Sequence, residues 1–125
     1  GYKRSLGRKY DVTIAEGAAS ALRIMSEEKP FPVVFTDMRM PGMDGIEFLL
    51  AAKQKHKDTV YVMLTGNADQ QTAIDAINRG QIFRFLNKPC PAETMALTIE
   101  SAFRQYELVV AERVLLRDTL TGSVK

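Results

Sequence analysis

Tryptophan is absent from this 125-residue sequence, and cysteine and histidine occur once each, as Cys90 and His56. A lone cysteine excludes an internal disulfide framework and any cysteine-rich zinc site, and it agrees with a reducing compartment. The histidine lies in Lys53-Gln-Lys-His-Lys57, a charged helix end, and reads as solvated surface with no phosphohistidine role. An excess of one charge is lacking too. The 17 Lys+Arg against 15 Asp+Glu leave +2, too near balance to argue for nucleic acid or an anionic membrane. No apolar run approaches the roughly 20 residues that a membrane-spanning helix needs, and no signal-peptide pattern opens the chain. A cytoplasmic protein is expected. What is present, 46% apolar and 26% charged residues, suffices for one packed core and a solvated surface, and the length leaves no room for two independent domains.

Hydrophobic periodicity divides the chain into alternating strands and helices. Asp11-Val-Thr-Ile-Ala15 alternates and is β-branched, so a strand is expected there, followed by a helix from Ala18 to Met25 that Pro30 and Pro32 end. Val33 to Thr36 is a second strand closing on Asp37. The Pro41-Gly42 and Asp44-Gly45 pairs mark a turn, and helical spacing resumes from Ile46 to Lys55. Val60 to Leu64 reads as a buried strand ending at Thr65, Gln70 to Arg79 as a helix stopped by Gly80, and Ile82 to Leu86 as an edge strand ended by Lys88-Pro89. From Ala92 the chain favours helix almost to Leu120. This alternation predicts an α/β fold, a doubly wound parallel sheet with helices on both faces. The opening Gly1 to Tyr10 looks like the tail of a helix, so a further strand is expected before Gly1.

In such a sheet, ligands sit outside the carboxyl ends of the strands, which singles out Asp37, Thr65 and Lys88. A carboxylate, a hydroxyl and an ammonium at neighbouring strand ends suit one small anion and one hard cation. Each alone is as readily a cap or a turn residue. The combination is what carries weight.

Three ordered motifs, Phe35-Thr-Asp-Met-Arg-Met-Pro-Gly-Met-Asp-Gly45, Val62-Met-Leu-Thr-Gly-Asn-Ala-Asp69 and Phe83-Arg-Phe-Leu-Asn-Lys-Pro89, resemble the receiver domain of two-component response regulators, from about Tyr2 to Phe103. The resemblance implies a flavodoxin-like receiver fold of strand order 2-1-3-4-5, an order carried over from known receivers. It also implies a phosphorylation-dependent switch. Asp37 would accept a phosphoryl group from a sensor histidine kinase, and Mg2+ would be held by Asp37 and the backbone carbonyl of Arg39. Thr65 and Lys88 would bind phosphoryl oxygens, with Gly66 leaving room for the group. Phe85 matches the position of an aromatic that changes rotamer with Thr65, although a Phe alternating with Phe83 is as well explained by packing. Arg39 and Asn67, two residues after Asp37 and Thr65, would tune the lifetime of the phosphoryl group. The Lys88-Pro89 bond is expected to be cis, and Cys90 inert.

The sequence departs from the family at its start, because receivers carry an acidic magnesium-holding pair at the end of a first strand that has no counterpart from Gly1 on. Asp11 cannot substitute, since it opens a later strand at the opposite end. The alternative reading is therefore a degenerate, phosphate-independent receiver acting as an interaction or dimerisation module. An aspartyl-phosphate hydrolase would want a carboxylate two residues past the nucleophile, where Arg39 stands. Residues 1–103 are taken as the receiver domain and 104–125 as a helical linker toward an output domain. Along the C-terminal helix Ala102, Tyr106, Val109, Arg113, Leu116 and Leu120 follow heptad spacing, with Leu108 and Leu115 widening the stripe, so a homodimer through this helix is expected. The receiver itself is expected to be no enzyme and to touch neither nucleic acid nor membrane. The ending Arg117 to Lys125 resembles receivers that precede His-Asp-type cyclic-dinucleotide phosphodiesterase domains.

Overall fold

A computed structural model describes residues 10–28, 30–40 and 42–120, the side chains of Thr119 and Leu120 excepted. The expected helical stub before Tyr10, Pro41 of the turn and the 121–125 ending lie outside the described residues. In chain order the elements are α1 (Ala18–Glu27), β1 (Val33–Asp37), α2 (Gly45–Lys55), β2 (Val60–Thr65), α3 (Gln70–Asn78), β3 (Arg84–Asn87) and α4 (Ala92–Leu120), with a 3-10 turn at Asn67–Asp69. The sheet is parallel in the order β1-β2-β3; Val33 faces Val60, Asp37 faces Leu64, and Thr65 faces Asn87.

Apolar residues alternate along β2 and feed two cores. Tyr61 and Met63 join Phe48, Leu49 and Ala52 of α2, Met25 of α1 and Ala76 of α3 on one face. Val60 and Val62 join Leu86 and the Met95, Ile99 and Ala102 stripe of α4 on the other. The sheet is thus covered on both faces, as right-handed crossovers require. Asp44 starts α2 by accepting the Glu47 N–H at 2.8 Å, the N-cap arrangement that satisfies an otherwise orphaned donor. Gly80, at φ +71, ends α3 as expected, its N–H bonding Ile77 O while Gln81 N–H bonds Ala76 O.

Four helices and three strands, rather than four, are found among the described residues. Residues 11–15 are not a strand, because a strand exists only through a ladder and nothing described lies close enough to pair with them. Between that segment and β1 runs a groove of about 560 Å³, lined by Val12, Ile14, Val34, Phe35, Met25 and Ile99. Ile14, on the wall of this groove, is 58% exposed. The three strands present match the last three of the family order.

Two details of the sequence reading change. Phe83 and Phe85 do not share a face: Phe83, which precedes β3 and bonds Tyr61 O through its N–H, packs with the α4 core, and Phe85 packs with the α2 and α3 core. The heptad stripe of α4 is also divided. Ala102 is buried, Tyr106 packs on the α4 core, and Arg113 Nη2 pairs with Asp58 Oδ2 at 2.8 Å, so this part of the stripe is used on the chain's own domain. Leu108, Leu115 and Leu116 remain 65%, 69% and 57% exposed. No described helix is long and apolar enough to cross a membrane.

Candidate functional site

Asp37 is the last residue of β1, and its position is fixed from behind by the start of α2. The Gly45 N–H donates to Met38 O at 2.6 Å, and Met38 N–H donates to Leu64 O at 3.0 Å. A Cβ at residue 45 would be driven into the Asp37 carbonyl oxygen and would stand 2.9 Å from Met38 Cα. Only glycine lets the helix approach this closely, so the role of Gly45 goes beyond the turn that the Asp44-Gly45 pair signalled.

The three strand-end residues do come together. Lys88, after β3, places its ammonium 2.5 Å from Asp37 Oδ1, with both side chains a little under half exposed. Oδ1 itself is sealed from solvent and makes no hydrogen bond, the ion pair being its contact. Thr65 is fully buried and its hydroxyl has no hydrogen-bond partner. Buried polar groups are satisfied in the great majority of cases, and leaving one unmade costs about 1–3 kcal/mol. The Thr65 carbonyl accepts the Lys88 N–H at 2.8 Å, so a donor in that condition stands at the strand end next to Lys88, ready for an acceptor that arrives later. A Cβ at Gly66 would meet open space, in keeping with room beside Thr65.

Around these residues the loops are tied by polar contacts. Arg39 reaches across to Asp69 with two parallel bonds, Nε to Oδ2 at 3.0 Å and Nη2 to Oδ1 at 2.9 Å. This hydrogen bond holds the Asp69 carboxyl below its ordinary range and pushes the Arg39 guanidinium up. Gln70 Nε2 donates to Asn87 Oδ1 at 2.8 Å and more weakly to Asn67 Oδ1 at 3.4 Å. Asn67 is exposed in the 3-10 turn, and Phe85 is half-buried against the core beneath. The sequence reading missed Asp69, Gln70 and Asn87. The Asp at the end of the second motif was the available signal, but nothing in the spacing paired it with Arg39.

Lys88-Pro89 is cis, as the resemblance implied. Cys90 is buried, and burial pushes its thiol up, away from the reactive thiolate. His56 caps α2 and is half-buried, its carbonyl accepting the Tyr61 hydroxyl at 3.1 Å, so it is less solvated than expected. Among the described residues no group of three or more His, Cys, Asp or Glu could hold a metal. A magnesium ion asks for less from the protein, one or two carboxylates with phosphate and water oxygens completing six positions. Asp37 and the Arg39 carbonyl suit that hard cation in kind.

The sequence profile of the response regulator receiver domain matches residues 2–100. The transcriptional regulatory protein FixJ of Bradyrhizobium diazoefficiens is 35% identical over 88 residues, 70% of this chain and 42% of that protein. Among solved structures, an adenylate cyclase from Rhodopirellula baltica superposes with TM-score 0.90 at 43% identity, covering 93% of this chain and 86% of that one. A response regulator receiver domain from Clostridium thermocellum superposes with TM-score 0.80 at 31% identity over 86% of each chain. The chain spans less than half the length of the curated relatives it matches. With the profile running through all three strand ends, this chain belongs to the response regulator receiver domain family.

Proposed function

We propose that this domain is switched by phosphoryl transfer from a sensor histidine kinase to Asp37, in the cytoplasm. The observation that carries the reading is the buried, unpartnered Thr65 hydroxyl beside the Asp37 and Lys88 ion pair. A phosphorylated carboxylate would bring acceptor oxygens to that hydroxyl and extra negative charge to that ammonium, improving both. Asp37 Oδ would act as nucleophile toward phosphorus, and Lys88 and Thr65 would bind the transferred oxygens. Arg39 and Asn67 flank the water approach. Magnesium, held by Asp37 and the Arg39 carbonyl, would offset repulsion between the incoming phosphate and the carboxylate. Movement of Thr65 toward the phosphoryl group would leave space for Phe85 to follow, carrying the change to the α3 and β3 face.

The receiver is a signalling domain and performs no catalysis of its own output. We read α4 as the link to an output domain and, through its exposed leucines, to a second copy of the chain. The likeness to the adenylate cyclase structure favours a nucleotide cyclase output over the phosphodiesterase that the ending of the sequence resembles. The test is intact-mass measurement of the full-length protein after incubation with acetyl phosphate, with and without magnesium. A phosphoryl mass gain that needs magnesium and vanishes in Asp37→Asn is the expected result. Association of equal strength with and without phosphodonor, and no mass gain, would instead favour the phosphate-independent module.

A further inference from the structure

The Arg39 and Asp69 pair is an unusual investment for a surface contact. It joins residues 30 positions apart by two aligned bonds of 3.0 and 2.9 Å, yet the Arg39 side chain is 74% exposed. Exposed ion pairs add little to stability, so its worth to the fold is small. Its placement is more informative. Arg39 follows Asp37 by two residues and Asp69 follows Thr65 by four, so the pair spans the loops that leave the adjacent strands β1 and β2.

The next residue extends the connection. Gln70 bonds Asn87, whose neighbour Lys88 returns to Asp37. The contacts Arg39 to Asp69, Gln70 to Asn87 and Lys88 to Asp37 thereby tie together all three loops at the carboxyl end of the sheet. The charge on Lys88 also helps hold the Asp69 carboxyl low, after the larger effect of Arg39, which places Asp69 within the field of the same site.

We infer that Asp69 is a positioning residue for the phosphoryl chemistry at Asp37: it holds the Arg39 guanidinium across the mouth of the site and so limits both entry of phosphodonor and entry of water. The inference rests on Asp37 being the phosphoryl acceptor and adds a gatekeeper to it. In the loss reaction, a water oxygen bonds to phosphorus as the bond from phosphorus to the Asp37 oxygen breaks. The carboxylate leaves with the electron pair, the water protons pass to solvent and inorganic phosphate departs. The clasp flanks the approach of water and phosphodonor to Asp37, whose side chain is 42% exposed with the clasp formed. Opening it therefore accelerates both directions of exchange, whereas removal of a group acting directly on phosphorus would slow at least one.

The test uses the full-length protein, acetyl phosphate as donor and intact mass as readout, comparing wild type with Asp69→Asn, Arg39→Gln, the double variant and the swapped pair Arg39→Asp with Asp69→Arg. Both gain and loss of the phosphoryl group are expected to quicken by up to about fivefold in either single variant, the change that loss of an exposed charge pair can produce. The double variant should be no faster than the singles, and the swap should return toward wild type. Unchanged rates in Asp69→Asn, or a swap that restores nothing, would overturn the role of Asp69 alone. Failure of the wild type to gain a phosphoryl group would overturn the reading of Asp37 and this inference with it. Asparagine and glutamine keep shapes close to the residues they replace, and matched unfolding midpoints across the variants would verify that the fold is intact.

Discussion

Lys88 Nζ reaches Asp37 Oδ1 although β1 and β3 are not neighbours, because β2 runs between them. The pair therefore passes over the end of β2, where Thr65 sits with its hydroxyl buried and unpartnered. Two charges satisfy each other around a donor that is left out. Of the two buried side-chain oxygens here without a hydrogen bond, Asp37 Oδ1 has the Lys88 charge beside it and the Thr65 hydroxyl has nothing, so the hydroxyl is where a new acceptor would be rewarded.

Thr65→Val tests this directly. Valine matches the shape of threonine but carries no hydroxyl, so the penalty of about 1–3 kcal/mol for a buried unmade hydrogen bond should be removed. The resting domain should hold steady or gain about 1 kcal/mol, read as a raised urea midpoint. The phosphorylated form should lose its conformational response, read by amide exchange over α3 and β3. A destabilised resting domain would show that the hydroxyl has a partner after all.

Gly45→Ala should be damaging where most surface changes are mild. The added Cβ meets backbone atoms of Asp37 and Met38, which cannot rotate aside, so α2 or the end of β1 must shift. Overpacking of this kind typically costs about 1–3 kcal/mol, and contact with backbone belongs at the upper end. A lowered unfolding midpoint together with slowed phosphoryl gain is expected, because the atoms that move belong to the acceptor residue. A variant as stable and as active as wild type would mean that the approach of α2 is not constrained.

Much of this architecture was legible because it is written in local signals. The apolar runs of β1 and β2, the Asp44-Gly45 turn and the Gly80 stop each act over a few residues, and the strand-end residues follow from where those runs finish. Residues 11–15 misled for a physical reason: alternation describes what a segment could bury, whereas a strand also needs a neighbour. The clasp of Arg39 by Asp69 and the bond from Gln70 to Asn87 were hidden because they depend on which loops the sheet order places side by side. Arg113 likewise looked like a charged member of a seam, whereas Asp58, from the loop between α2 and β2, holds it.

A pH prediction follows from Tyr61, almost wholly buried with its hydroxyl donating to His56 O. Burial pushes its phenol up to about 12, against an ordinary value near 10 in the unfolded chain. The folded state thus keeps its proton longer, so this stabilisation is fully present below about pH 10 and is lost as pH rises toward 12. Lys53, whose ammonium lies 6.0 Å from the Tyr61 ring centroid and whose own pKa burial lowers, contributes in wild type and variant alike. Urea midpoints between about pH 9 and about 11.5 should fall more steeply for wild type than for Tyr61→Phe. Parallel curves would show that the phenol is free to ionise in the folded state.

The last prediction concerns the exposed face of α4. Arg113 is held by Asp58 and Ala102 is buried, so the part of the helix open to a second copy is centred on Leu108, Leu115 and Leu116. These residues, with Gln105 and Glu112, outline a shallow groove along the helix. Leu108 and Leu115 stand two turns apart on one stripe, the spacing at which a second helix can pack. Leu115→Asp is expected to shift a dimer of the full-length protein to monomer. An unpaired aspartate in a two-chain seam costs several kcal/mol, while on a solitary exposed helix it costs a few tenths. Arg113→Ala should leave association in place, since its partner lies within the same chain. Sedimentation at matched concentrations reads the outcome: if wild type and Leu115→Asp sediment alike, as monomers or as dimers, the leucines do not form the interface and the stripe belongs to contacts with the output domain.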